Sequence, residues 1–204
     1  MLVKNILEII PSILIYAVLY LIANKVQLIT PTKVPMTYGD ELFQFNPHWV
    51  LIYFSSYISI PMAYLLLFYQ NGRMFIRSFL SLTFLSFFVF MLFPTIVSRS
   101  DFQSVGMNPI YQFLFNILHS ADSPTNCIPS LHVSTAFLIF YLSFSYKNKL
   151  LIMGTLIYAI LVSLSTLYVK QHLLLDVYTG FLAASVIALL NYYWEKKNGK
   201  NTLE

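Results

Sequence analysis

"HLLLDVYTGFLAASVIALLNYYW", residues His172 to Trp194, decides how this chain folds. Beyond its first few positions it is almost wholly apolar, and a bilayer-spanning helix needs about 20 such residues at about 1.5 Å rise each. The stretch therefore reads as a membrane span over Leu173–Trp194. Its amino end carries a histidine and an aspartate with three leucines between them.

Five further stretches qualify or nearly qualify as spans: Ile6–Ile29, Trp49–Tyr69, Met74–Val97, Leu131–Tyr146 and Leu150–Val169. The fourth of these is short and studded with His132, Ser134 and Thr135. Composition agrees with the count. The 204 residues are 58% hydrophobic and 10% charged, with mean hydropathy +0.70, whereas a soluble domain carries about 25% charged residues. The expectation is an all-α fold: a polytopic membrane helix bundle with six transmembrane helices, forming one domain over residues 1–204. Pro11 and Pro61 fall inside spans, where neighbouring helices can satisfy the freed carbonyls. The first apolar run is long and no small-x-small cleavage site follows it, so it is expected to be a retained helix.

Basic residues set the expected orientation. Lys4, Arg73, Arg77, Lys147, Lys149, Lys196, Lys197 and Lys200 fall on one side, and Lys25, Lys33, Arg99 and Lys170 on the other. Both termini then read as cytoplasmic, in a plasma (inner) membrane. The connections Thr30–His48 and Ser98–Ser130 and the tight turn near Lys170 face outward. Within the longer loop, Ile110, Phe113, Leu114 and Ile117 have helical spacing, which suits a helix lying along the interface. The scattered basic residues form no nucleic-acid stripe, so the bilayer is the expected partner and no nucleic acid is. A lone cysteine, Cys127, excludes an intrachain disulfide framework.

An ionisable residue inside a span costs about 2.5–3.5 kcal/mol on insertion scales and defaults to a functional reading. Asp176 sits inside the last span, His172 begins it, and His132 begins the fourth. All lie at the outward face, at the depth of Arg99 and Lys170. On a helix, His172 and Asp176 share one face. Asp176 can then fix the tautomer of His172 and leave the other ring nitrogen as nucleophile or base. The pair can equally be two polar groups satisfying each other at a helix seam. Ser130 is placed to cap the fourth helix, whose free N–H groups suit an anion. Arg99 and Lys170 read either as interfacial cations, Arg99 with Asp101 as an alternative partner, or as anion ligands. His132, His172 and Asp176 are also a possible metal set, but the helix cap and cations already supply positive charge, so no metal and no cofactor is expected. His48 and His119 read as interfacial residues, and nothing near Cys127 predicts a depressed thiol pKa.

These residues resemble the type-2 phosphatidic acid phosphatase superfamily, whose membrane branch is a six-helix bundle acting on lipid phosphates. The family's motifs are K-x6-R-P, P-S-G-H and S-R-x5-H-x3-D. "PSLH" (Pro129–His132) matches the second with Leu131 for glycine, and "STLYVKQHLLLD" (Ser165–Asp176) the third with Thr166 for arginine. Of the first, Arg99 remains, with Leu92 for the lysine and Ser100 for the proline. The resemblance implies catalytic motifs within residues 92–180. It makes His172 a nucleophile forming a phosphohistidine, Asp176 its orienting partner and His132 the acid for the leaving oxygen. Ser130, Arg99 and Ser165 would hold the phosphate. Two family cations are missing, and Lys170 is the expected stand-in for part of their role. The substrate implied is a membrane lipid phosphate or diphosphate. A "PSLH" motif and a third motif without arginine also resemble the inositol phosphorylceramide synthase branch, which passes a phosphoryl-headgroup to an alcohol. A non-catalytic carrier or scaffold is the remaining reading; retention of His132, His172 and Asp176 together argues against it.

Overall fold

The computed structural model describes residues 2–99 and 107–198. Among the described residues there are six α-helices: α1 Leu2–Lys25, α2 Val50–Leu92, α3 Pro109–Ala121, α4 Leu131–Ser143, α5 Lys149–Tyr168 and α6 Leu174–Lys197. Their bounds lie within a few residues of those expected for the first, fourth, fifth and sixth spans. Among the described residues, Gly72–Leu92, Lys149–Tyr168 and Leu174–Lys197 are long and apolar enough to cross a membrane. Ile9–Lys25 and Leu131–Tyr146 are shorter apolar helices.

The spans expected over Trp49–Tyr69 and Met74–Val97 meet in one helical run, α2, of 43 residues. Between them the sequence offers Gly72 but no proline, and no non-helical residue separates the two runs. The two limbs nevertheless run back along each other. Tyr53 and Tyr57 pack on the ring of His132, at centroid distances of 4.4 and 5.3 Å. Phe90, from the other limb, is buried with Leu131 and Ala23. A straight helix would hold Tyr57 and Phe90 about 50 Å apart, yet both reach the same end of α4. The reversal therefore falls between Ala63 and Phe75, which share a cluster with Leu138 and Leu142 at the far end of α4.

Helix α4 is the axis of the bundle, in contact with α2, α5 and α6. It buries Val133, Ser134, Thr135, Ala136, Leu138, Ile139 and Leu142. This suits its short length and its polar residues: its surroundings are mainly protein rather than lipid, and its hydroxyls close on its own carbonyls, as Thr135 Oγ1 does on Leu131 O at 2.7 Å. A single 3-10 turn, Phe144–Tyr146, completes the expected extent. At the end of the bundle away from His132, Arg77 donates to Glu195 Oε1 at 2.6 Å and stacks over Trp194 at 3.9 Å.

A small β-structure covers the other end and was not expected in an all-α chain. β1 (Thr32–Lys33) pairs in parallel with β2 (Thr95–Ile96). Ile96 also bridges to Thr125, and Thr95 Oγ1 accepts from the backbone N–H groups of Cys127 and Ile128 at 3.0 and 3.1 Å. Three loop segments are thereby tied together over the mouth of the bundle. Helix α3 lies beside them with Phe115 and Leu118 buried and Ile110, Phe113 and Ile117 exposed, the amphipathic division expected of an interfacial helix.

Helices α4 and α6 meet closely at Gly180, where an added Cβ would lie 2.8 Å from Ser130 O and 3.1 Å from Val133 Cβ. A Gly180→Val substitution should destabilise the detergent-purified protein by about 1–3 kcal/mol, the usual cost of overpacking. Gly154→Ala, which meets nothing within 4 Å, should leave the thermal midpoint nearly unchanged; intrinsic-fluorescence melts compare the two.

Candidate active site

Two short segments converge at the covered end of the bundle. The first is the start of α4. Ser130, buried without solvent exposure, is the N-cap, and its hydroxyl accepts from Val133 N at 3.5 Å. His132 follows two positions later. The second segment is the turn from α5 into α6. Here the α5 helix closes through Thr166 O, which accepts from both Gln171 N and His172 N at 3.0 and 3.2 Å. Lys170 takes a left-handed backbone, φ 58°. The chain then enters α6 at Leu174.

His172 precedes α6 rather than lying on it, which corrects the expectation of a shared helical face. Asp176 occupies the third position of the helix and reaches back toward its start. Its Oδ2 accepts from Leu173 N at 2.9 Å and lies 3.1 Å from His172 Nδ1. This is the N-terminal capping geometry of a helix, extended to a side chain. A carboxylate accepts and does not donate, so Nδ1 of His172 carries the proton and Nε2 holds the lone pair. Asp176 is completely buried, and its Oδ1 has no hydrogen-bond partner among the described residues. Its backbone carbonyl accepts from Ser130 N at 3.2 Å, which joins the two segments directly.

The rings of His132 and His172 lie 5.9 Å apart. Both line a narrow cavity of about 20 Å³, together with Arg99, Asp122, Cys127 and Gln171. Arg99 is brought in by two bonds, to Asp122 O at 3.0 Å and to Gln171 Oε1 at 2.5 Å. Asp101 lies outside the described residues. A second cavity, of about 180 Å³, opens on the other side of His172 and is lined by Lys33, Ser98 and Lys170 among others. His132, His172, Asp176, Ser130 and Arg99 are thus assembled at one place, and Lys170 faces the second cavity. Ser165 is not brought to either. It is fully buried in α5, with its hydroxyl donating to Val162 O at 2.7 Å.

Several participants carry no sequence signal. Asp122 accepts from Tyr20 Oη at 2.5 Å and from Tyr53 Oη at 3.5 Å; in the sequence it reads as a turn residue. Gln171 links Arg99 to His119, whose Nε2 lies 3.4 Å from Gln171 Nε2. His119 is therefore tied into the site, and burial, followed by the nearby Arg99 charge, lowers its pKa. His48 has a partner too, Tyr111 Oη at 2.7 Å. Asp40, from the loop between α1 and α2, is the least expected: Oδ1 accepts from Leu174 N at 2.7 Å, and Oδ2 from Thr37 N and Oγ1.

The residues best placed to hold a metal differ from the set considered above. Cys127, His172 and Asp176 each offer a ligand atom, all within 4.8 Å of one another, and His132 is not in the group. Burial, with the Asp176 and Asp122 charges adding, pushes the Cys127 thiol well up, and its Sγ donates to Pro124 O. The cysteine is a protonated thiol in this arrangement, and a metal would have to displace that proton.

The fold and this end of it define a helical membrane protein with a carboxylate-oriented histidine facing a second histidine. Residues 103–200 match the family model of the PAP2 superfamily, which supports the resemblance to the type-2 phosphatidic acid phosphatase superfamily. With its long apolar helices, it is an integral membrane protein of phosphatase type. No curated protein and no solved structure matches the chain.

Asp40 supplies a pH test of the loop that holds α6. Burial alone raises its carboxyl, but hydrogen bonds from Thr37 and Leu174, with the Lys170 charge, reverse this and hold it below its ordinary 3.8. A lowered folded-state value means that its stabilisation is present above pH of about 4 and is lost as pH falls through the folded value. Asp40→Asn should cost about 1–3 kcal/mol at neutral pH, and the gap from wild type should narrow in acid. Thermal melts between neutral pH and pH of about 3 measure it.

Proposed function

We propose that the protein is a lipid phosphatase that hydrolyses a phosphomonoester or diphosphate of a membrane lipid through a phosphohistidine. The observation that carries this reading is the His172 Nδ1–Asp176 Oδ2 contact of 3.1 Å beside His132 and Arg99. Nε2 of His172 attacks phosphorus, the phosphorus–oxygen bond to the lipid breaks, and His132 relays a proton brought in on the substrate phosphate to the leaving oxygen. Water then attacks the phosphohistidine, His132 takes its proton, and inorganic phosphate leaves with His172 restored. Asp176 stabilises the charge that His172 acquires during attack. Arg99 and the start of α4 neutralise the oxygens of the five-coordinate phosphorus.

The topology that suits this chemistry has six crossings, counting the two limbs of α2 separately, with both termini cytoplasmic and the site on the extracytoplasmic face. Arg73, Arg77, Lys147, Lys149, Lys196 and Lys197 then lie inside, as the positive-inside rule requires. The lipid tail occupies an apolar cavity of about 540 Å³ between the first limb of α2, α4 and α5, lined by Ser55, Met62, Ile139, Gly154 and Tyr158 among others. It begins near Tyr57, which packs on His132.

The phosphotransferase reading shares the covalent step and differs in the acceptor. It is favoured by Leu131 and Thr166, which stand where the phosphatase motifs have glycine and arginine. Thr166 is fully buried, with its hydroxyl donating to Ser163 O at 2.7 Å.

Detergent-purified protein offered a panel of lipid phosphates and diphosphates should release phosphate in the presence of EDTA. His172→Ala should abolish release, and Lys170→Ala should weaken it. Loss of activity with EDTA would move the chemistry to a metal at Cys127, His172 and Asp176, and headgroup exchange onto added alcohols without phosphate release would establish the transferase. Gly154→Phe, filling the apolar cavity, should raise KM for long-chain substrates and leave short-chain analogues unaffected.

A further inference from the structure

The site is short of two cations at the positions where the motifs it resembles carry them, Leu92 and Thr166. Leu92 ends α2 with 58% of its surface exposed, and Thr166 is fully buried inside α5. The larger cavity beside His172 contains two lysines instead. Lys170 arrives through the left-handed turn before α6. Lys33 comes from a loop far away in sequence and has no motif to mark it.

Its position is nevertheless fixed by the backbone. Lys33 lies in β1 opposite Ile96, with Thr32 N donating to Pro94 O and Val34 N to Ile96 O, both at 2.9 Å. The paired segment is the one that continues through Val97 and Ser98 to Arg99. The strand pairing therefore sets Lys33 and Arg99 on a common framework, one toward each cavity that His172 lines. Val34 is buried with Val97 and Cys127 and packs with Leu173, which anchors β1 against the turn that presents His172. Lys33 is itself exposed, as an ammonium on a four-carbon stem must be if it is to meet a phosphate arriving from the membrane surface.

We infer that Lys33 and Lys170 form an anion subsite for phosphate next to His172, and that Lys33 supplies positive charge lost from the family motifs. The inference rests on the reading of His172 as the phosphoryl acceptor and deepens it, because it assigns a substrate-binding role to a loop outside the matched region of residues 103–200. The ligand is a phosphate dianion, whether still esterified to the lipid or already released. The geometry admits both, since the cavity is lined by His172, the residue that accepts the phosphoryl group in one step and yields it in the next.

The test compares Lys33→Ala, Lys33→Arg and Lys25→Ala in the full-length, detergent-purified protein. Lys25 is exposed on the same side of the bundle and controls for the general loss of one charge. Two quantities are read: KM for the lipid phosphate that wild type turns over, and the affinity for inorganic phosphate by calorimetry, which needs no turnover. Lys33→Ala should raise KM, weaken phosphate binding, or do both, by about tenfold, the effect of one charge-assisted hydrogen bond. A change in KM alone assigns the subsite to the esterified phosphate, and a change in inorganic phosphate affinity alone to the product. Lys33→Arg should recover most of the loss, and Lys25→Ala should show little. Wild-type values in Lys33→Ala, or equal losses in Lys25→Ala, would overturn the inference while leaving the phosphatase reading intact. Phosphate binding that depends on Lys33 in a protein without turnover would support the subsite and sink the phosphatase. Absence of both turnover and phosphate binding in wild type would sink both.

Discussion

The buried carboxylate of Asp176 is the point through which the site is assembled. Placing such a group away from water is costly unless donors surround it, and two of them are the N–H of Leu173 and Nδ1 of His172. The first sets where α6 begins; the second sets the tautomer and orientation of the proposed nucleophile. The peptide carbonyl of the same residue receives the N–H of Ser130, so α4 starts in register with α6. A helix cap, a tautomer and a helix–helix contact thus depend on one side chain and its backbone. Gly180, one turn further along α6, allows the two helices the close approach that this register demands.

The loops over the mouth of the bundle are as organised as the helices beneath them. Thr95 ties the Cys127–Ile128 segment to β2, β1 joins on the other side, and Asp40 accepts the first free N–H of α6. These polar contacts satisfy backbone groups that a membrane-facing helix end would otherwise leave open. They also explain how a chain can depart from the family's motif residues and still present cations at the site. Charge can be supplied from another loop once the backbone of that loop is held in place.

The helical content, the extents of four of the helices and the placement of His132, Ser130, His172 and Asp176 at one end were all legible in the sequence. Each leaves a local mark: an apolar run of membrane length, a serine before a helix, an ionisable residue where lipid would penalise it. The union of two expected spans in α2 was not legible, because a short link without proline is compatible with both a loop and continued helix. Nor was the role of Ser165, whose place in the motif does not reveal that its hydroxyl is already used inside α5.

The sequence by itself determined which residues must leave water and which few polar groups must be compensated there, since hydropathy and charge are properties of each side chain. Only the tertiary structure decided who compensates whom. Asp40 and Lys33 come to the site across long stretches of chain, and Asp122 and Gln171 join it from nearby positions, through strand pairing, a helix cap and hydrogen bonds that no local pattern encodes. His172 and Asp176 show both halves of this division. Their spacing marked them as partners, but the start of α6, reached only in the folded bundle, turned that spacing into a carboxylate that holds one ring nitrogen and frees the other.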